Sequence, residues 1–289
     1  MNPAATTSFR TLLILGRVSN LPTVWSNCLA GWWLGGGGNF WKLPFLLLGV
    51  SLLYTGGMFL NDAFDVELDR QRRPGRPIPS AKISLEKARR FGFSQLALGL
   101  ALLLFAGKTA GALGLVLAAF LLFYNVTHKF VTAAPWLMGA CRFWIYLIAG
   151  AAGVGGLNGW PIYCGAALAL YIAGLSYVLR RERFRGKISF QPFLLLLSPV
   201  ALALAMNTGD YRGTALEISA VLVLWIAFNA RILFAAGAAN AERIVKGLLA
   251  GIILVDWLAV APQCPGWLNF ILPLLFVLTK ISQQFIPAT

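Results

Sequence analysis

The chain has 289 residues, 58% of them hydrophobic and 12% charged, with mean hydropathy +0.74 and a formal net charge of +14. So apolar a composition excludes a soluble globular protein and indicates an integral membrane protein. The positive charge invites a nucleic-acid reading, but its distribution, loop by loop, argues against one.

The start of the chain reads as an interfacial helix. Arg10 and Arg17 flank a short apolar patch, Leu12 to Leu15, too brief for a signal-peptide core, so no cleaved targeting segment is expected. Ten apolar stretches follow, near 19–36, 43–62, 91–107, 109–127, 136–156, 160–179, 190–206, 215–236, 244–262 and 267–286. Each approaches the length a bilayer requires. The expected fold is all-α, a polytopic transmembrane bundle of about nine to ten helices forming a single domain over 1–289. Between a half-helix among the late segments and ten full spans, Pro262 and Pro265 at the ninth-to-tenth turn and Pro273 inside the last segment fit a broken segment. Thirty glycines fit closely packed membrane helices. Cys28, Cys141, Cys164 and Cys264 lie in or beside apolar segments without metal-ligand spacing, and read as reduced small hydrophobes.

Lys and Arg fall unevenly between the two sides. One side receives Arg10, Arg17, eight basic residues between 70 and 90, Lys129, the 180–187 loop, Arg243 and Lys246. The other receives Lys42, Lys108 and Arg212. By the positive-inside rule both termini face the cytoplasm, and the basic loops meet headgroups and phosphates, with no nucleic-acid partner. The expected location is a bacterial inner membrane, multi-pass, with membrane lipids as surroundings.

The second segment ends in Asn61-Asp62-Ala63-Phe64-Asp65-Val66-Glu67-Leu68-Asp69. At about 100° per residue, Asn61, Asp65, Asp69 and Asp62 fall at about 0°, 40°, 80° and 100°, while Glu67 falls on the far side. Carboxylates gathered in this way repel one another unless a cation sits among them. Oxygen ligands beside a phosphate-bearing substrate point to Mg²⁺. A solvated helix end is the plainer reading, but acids at a membrane-helix end are costly and usually functional. The loop behind them, Arg70 to Ser80, holds three prolines and four arginines, including Arg72 and Arg76. Prolines forbid a continued helix there. Guanidinium forks suit diphosphate oxygens.

An apolar helix ending in N-D-x-x-D-x-x-x-D and followed by Arg76-Pro77-Ile78-Pro79-Ser80 resembles the UbiA superfamily of intramembrane prenyltransferases. Arg17-Val18-Ser19-Asn20-Leu21-Pro22 is similar to that family's first-helix entry. The resemblance implies Mg²⁺-dependent transfer of an isoprenoid chain from a prenyl diphosphate to an aromatic or lipid acceptor, on the cytoplasmic side. It implies metal ligation by Asn61, Asp62, Asp65 and Asp69, with Asp62, Asp65 and Tyr124 in catalysis. It implies acceptor binding by Arg17, Asn20 and Asn27. An allylic cation formed by diphosphate loss would need a dry, electron-rich cavity. Trp25, Phe64, Tyr124 and Trp144 are aromatic candidates for lining it.

Tyr124-Asn125-Val126-Thr127-His128-Lys129 departs from the family's usual Tyr and Lys four apart. Tyr124 ranks first there as a diphosphate contact, Lys129 second and His128 last. Arg142, a charge within the fifth segment, is a further diphosphate candidate, with snorkelling as its structural role. The family's second aspartate-rich motif is missing. In its place stands Arg180-Arg181-Glu182-Arg183-Phe184-Arg185-Gly186-Lys187. Three readings follow: Arg180, Arg181 and Lys187 replace the second metal as diphosphate ligands, the donor differs, or catalysis is lost and lipid-diphosphate binding retained. The basic loop, the Tyr…His-Lys run and Met138-Gly139-Ala140-Cys141-Arg142 together look most like the EboC-like branch.

Asp256, deep in the ninth segment, keeps a transporter in view as the rival class, either as half of a structural pair or as a pore-lining group. A transport pathway gives no reason for the Asn61–Asp69 spacing. An alcohol phosphatidyltransferase would need a D-x-x-D-G-x-x-A-R run, which is absent.

Overall fold

The structure, a computed structural model, describes residues 8–128, 131–183, 191–236 and 241–287. The described residues form thirteen α-helices. They are α1 (Phe9–Leu15), α2 (Leu21–Leu34), α3 (Leu43–Phe64), α4 (Val66–Arg72), α5 (Leu85–Ala106), α6 (Lys108–Thr127) and α7 (Ala134–Ala152). They continue with α8 (Gly159–Arg183), α9 (Gln191–Leu196), α10 (Ser198–Met206), α11 (Tyr211–Ala236), α12 (Ala241–Val260) and α13 (Gly266–Phe285).

Each of the ten apolar stretches coincides with a helix, or for the seventh with a broken pair. Among the described residues, six helices are long and apolar enough to cross a bilayer: Phe40–Phe64, Leu85–Ala106, Lys108–Thr127, Gly159–Val178, Tyr211–Ile232 and Gly266–Phe285. The break falls elsewhere than Pro262, Pro265 and Pro273 indicate. Helix α13 runs through Pro273 without interruption. The seventh segment instead divides at Leu197, where Pro199 opens α10. At about 1.5 Å per residue, the nine residues of α10 reach about half of a hydrocarbon core about 30 Å thick.

Packing is set by small residues. A Cβ on Gly56 of α3 would stand 2.8 Å from the Gly92 carbonyl oxygen of α5, and one on Gly99 2.8 Å from that of Gly49. The two backbones therefore approach too closely for any side chain at these positions, as membrane helices do in the absence of a hydrophobic drive between them. Among the described residues three apolar cores result. One gathers α3, α5, α6 and part of α2 and α7 around Leu53, Leu60 and Leu103; a second gathers α8–α13 around Leu168, Tyr171 and Leu248; a smaller third joins Leu15, Phe59, Val66, Ile78 and Ile83 at the end of α3.

One end of the bundle collects the groups that matter below. The end of α3, the 65–84 connection, the start of α2 and the chain's C-terminal stretch all meet there. Ser19 Oγ donates to the Pro287 carbonyl oxygen at 3.5 Å, and Pro287 lines the same cleft as Asp62 and Arg17.

Candidate functional site

The acid face forms where α3 hands over to α4. Asp65 ends one helix and starts the next at φ −89°, ψ 1°, and its N–H still donates to Asn61 O at 3.0 Å. The Asp69 N–H donates to Asp65 O at 2.8 Å, so helical phase carries through the junction. Asn61, Asp62, Asp65 and Asp69 are all buried. Glu67 points away, its side chain 76% exposed and paired with Arg70 at 2.8 Å. This is the division that a period of 3.6 requires.

Two arginines, far apart in the chain, converge on the face. Arg76 Nη1 donates to Asp62 at 3.0 Å and to Asp69 at 2.8 Å. Arg17 Nη2 donates to Asn61 Oδ1 at 3.3 Å and to Asp62 Oδ1 at 3.4 Å. Arg17 holds a left-handed backbone conformation, φ 46°, at the turn between α1 and α2, and this turn lets one short connection aim the side chain inward. The end of α6 supplies the third side. His128 Nε2 lies 3.3 Å from Asp65 Oδ2, its ring is stacked on Tyr124 at 5.0 Å, and its Nδ1 is 3.0 Å from Tyr124 O. Asn125 is held by its Nδ2 to the Gly57 carbonyl and accepts from Asn61 Nδ2 at 3.2 Å.

The donor set fits a hard cation in chemistry: three buried carboxylates and an amide oxygen, with two guanidiniums beside them, leave negative charge in excess. Among the described residues, however, no three His, Cys, Asp or Glu side chains converge on one point. Asp62 and Asp69 turn toward Arg76 instead. A metal ion would take these oxygens in competition with that guanidinium.

Several candidates lie apart from the face. Arg142 donates to the Thr23 carbonyl at 3.2 Å, to Thr23 Oγ1 at 3.1 Å and to Asn27 Oδ1 at 2.6 Å, with its guanidinium 5.6 Å from the Tyr54 ring centre. Asn27 in turn donates to Asp256 at 2.7 Å, and Asp256 also accepts from Ser26 and Tyr146. Asp256, Asn27 and Tyr146 are fully buried. Asn27 and Arg142 are thus brought together with each other, as bridges between α2, α7 and α12. Of the two roles open to Asp256, the paired one holds: at 0% exposure it lines no pore. Asn20 is buried and donates to Tyr54 Oη at 3.3 Å. Arg72 is exposed on α4. Lys129 and Lys187 lie outside the described residues, as do the side chains of Arg180 and Arg181, whose backbone belongs to α8. Of the aromatic candidates, Trp25 is bonded to Ser51 at 2.9 Å and Trp144 packs on Phe120 at 5.7 Å.

Asn125 escaped the sequence reading although it stands within the quoted run. Its spacing of three from His128 was the available signal, since residues three apart share a helix face. His128, ranked last there, reaches an acid, Asp65.

The model of the UbiA prenyltransferase family matches residues 20–284. The chain belongs to the UbiA prenyltransferase family. Its relatives include the digeranylgeranylglyceryl phosphate synthase of Methanopyrus kandleri, 26% identical over 241 residues, which cover 70% of this chain and 82% of that one. Against other relatives of the same name, the chain spans only about a quarter to a third of their length (27%, 25% and 34%). The UbiA homologue of Aeropyrum pernix K1 superposes with a TM-score of 0.66 at 17% identity, over 87% of this chain and 99% of that one. A UbiA homologue from Archaeoglobus fulgidus, bound to DMAPP and Mg²⁺, gives 0.52 at 16% identity, over 95% and 99%. The chain is thus a UbiA-fold integral membrane protein of the prenyltransferase family, and its relatives are mostly archaeal. The bacterial membrane expected above finds no support among them.

Proposed function

We propose that this protein transfers an isoprenoid chain from a prenyl diphosphate to a lipid acceptor, with Mg²⁺, at the cytoplasmic end of the bundle. The observation that carries this reading is the buried acid face with Arg17 and Arg76 bonded into it. Family membership, relatives that are digeranylgeranylglyceryl phosphate synthases and a fold neighbour bound to DMAPP and Mg²⁺ support it. An aromatic acceptor has no comparable support.

Asn61, Asp62, Asp65 and Asp69 would hold Mg²⁺, which supplies charge neutralisation of the leaving oxygens. Arg76 would then exchange a carboxylate for a phosphate oxygen, a swap its planar fork suits. Arg72 at the end of α4, Tyr124 near the end of α6, Arg180 and Arg181 near the end of α8, and Lys129 and Lys187 would take further oxygens. The bond between the allylic carbon and the diphosphate oxygen breaks, its electron pair leaving with diphosphate. The acceptor hydroxyl oxygen bonds that carbon, and its proton passes to a diphosphate oxygen. Catalysis rests on fixed charges aimed at the oxygens where negative charge grows.

The test uses purified protein in detergent. Geranylgeranyl diphosphate binding is followed with and without Mg²⁺, and diphosphate release is then followed over a panel of lipid and aromatic acceptors. Mg²⁺-dependent binding, with release on adding a glycerolipid acceptor, is expected. Failure to bind this donor and its shorter and longer homologues, with or without Mg²⁺, would overturn the reading.

A further inference from the structure

Helices α11, α12 and α13 meet around one tryptophan. Trp225 of α11 lies against the glycines of α12: its Nε1 donates to the Gly247 carbonyl oxygen at 2.9 Å, and a Cβ on Gly251 would stand 3.1 Å from its Cδ1. Its ring meets Phe276 of α13 at 5.1 Å, edge on, and stacks on Phe228 of α11 at 6.1 Å. Phe228 is exposed, so this aromatic wall opens sideways to the bilayer. Lys280, one turn beyond Phe276, sets its ammonium 5.7 Å from the centre of the Trp225 ring. Two further bases gather there. Arg243 and Lys246, in the first two turns of α12, are near enough to Lys280 to repel its charge. Lys246 is matched by Glu242 at 2.6 Å. Arg243 is exposed and Lys280 half-buried, and among the described residues neither has a carboxylate partner. The amino-terminal partial charge of α12 has the same sign. Like charges held together in this way cost free energy that an anion would remove.

We propose that Lys280 and Arg243 bind the phosphate of an anionic membrane phospholipid, whose chain lies along the aromatic wall of Trp225, Phe228 and Phe276. The charge selects the headgroup: two bases in excess suit a lipid with net negative charge, whereas a zwitterionic lipid would bring its own cation into the cluster. The wall selects a lipid over a soluble anion, because free phosphate would leave the indole and the phenyl rings uncovered. Basic pockets between membrane helices take anionic headgroups in this way, and an indole at the level of the headgroups offers an apolar body to the chain. The site is separate from the transferase reading above and does not depend on it. Trp225 and Phe276 pack on the core around Leu168 and Leu248, whereas the acid face stands beside the small core at the end of α3.

The experiment uses the full-length protein in bilayers of phosphatidylcholine and reads quenching of tryptophan fluorescence by dibrominated phosphatidylglycerol against dibrominated phosphatidylcholine. Each protein is measured with and without Trp225→Phe, and the difference isolates the signal of Trp225. Wild type is expected to prefer phosphatidylglycerol at this position by roughly fivefold. The double variant Arg243→Gln/Lys280→Gln should lose that preference while its quenching by dibrominated phosphatidylcholine stays as in wild type, which shows the groove intact. Lys280→Arg, which keeps the charge, should retain the preference. Lys87→Gln/Arg89→Gln removes two exposed bases of α5 and should also leave it unchanged. Equal quenching of Trp225 by the two lipids in wild type would overturn the proposal without recourse to any variant. Loss of the preference in the α5 variant as large as that in Arg243→Gln/Lys280→Gln would overturn it as general attraction to a basic face. Displacement of the brominated phosphatidylglycerol by inorganic phosphate would overturn it in favour of a soluble anion.

Discussion

Arg76 reaches back fourteen residues to donate to Asp62 at 3.0 Å, closing the proline-rich loop over the acid face. The same nitrogen serves Asp69 at 2.8 Å, so one guanidinium occupies two of the carboxylates proposed for the metal. Arg76→Gln is therefore expected to move two affinities in opposite directions. Mn²⁺ binding without donor, read by electron paramagnetic resonance, should tighten severalfold as the carboxylates are released. Donor affinity should fall tenfold or more. Parallel losses of both would show that Arg76 only holds the loop.

Asp65 and Glu67 test the division of faces. Asp65→Ala should abolish Mg²⁺-dependent donor binding, while Glu67→Ala should leave it within twofold, because that side chain points away and pairs with Arg70. Binding isotherms for geranylgeranyl diphosphate, with and without Mg²⁺, measure this directly. Equal losses in the two variants would refute the helical-face argument.

Asp256 tests the buried network. Its carboxylate accepts from Ser26, Asn27 and Tyr146 with no exposure to solvent. Removing one partner from a buried charged network leaves the others unmatched, at a cost of about 3–5 kcal/mol. Asp256→Ala should lower the unfolding midpoint in detergent by several degrees and more than Asp256→Asn, which keeps the shape and one acceptor oxygen. Unchanged thermal unfolding in both would remove the network from the account of stability.

Gly56 tests the close approach of α3 and α5. A methyl group there would meet the Gly92 carbonyl oxygen at 2.8 Å, and backbone cannot step aside as a side chain can. Gly56→Ala should cost about 1–3 kcal/mol by overpacking. Gly75→Ala, where no atom lies within 4 Å of the added carbon, is the control and should leave the unfolding midpoint nearly unchanged.

What the sequence made legible was local. The acid face could be read because Asn61 to Asp69 obey one period over two turns, and Glu67 fell out by the same arithmetic. Helix number could be read because apolar length is itself the signal. Partnerships across the chain could not. Arg17 meets Asp62 across 45 residues, and Arg142 meets Asn27 across 115. A lone Arg in an apolar segment looks the same whether it serves a phosphate or an asparagine. The break at Leu197 was hidden for a different reason: a proline in an apolar run can open a new helix, as Pro199 does, or sit inside a continuous one, as Pro273 does, and only packing decides which.

The Arg142–Asn27–Asp256 chain also bears on how the protein enters the membrane. It joins α2, α7 and α12, and none of these is among the six helices of the described residues that are long and apolar enough to cross a bilayer. A charge at mid-helix costs about 2.5–3.5 kcal/mol at insertion. That penalty falls once a polar partner is already in place. As the chain emerges from the ribosome, α2 comes first and presents Thr23 and Asn27, then α7 brings Arg142 to them, and α12 arrives last with Asp256. Biogenesis would then be sequential, each of these short or charge-bearing helices retained by its predecessor. A lesion at Asn27 would be felt as failed insertion of helices that lie more than a hundred residues downstream.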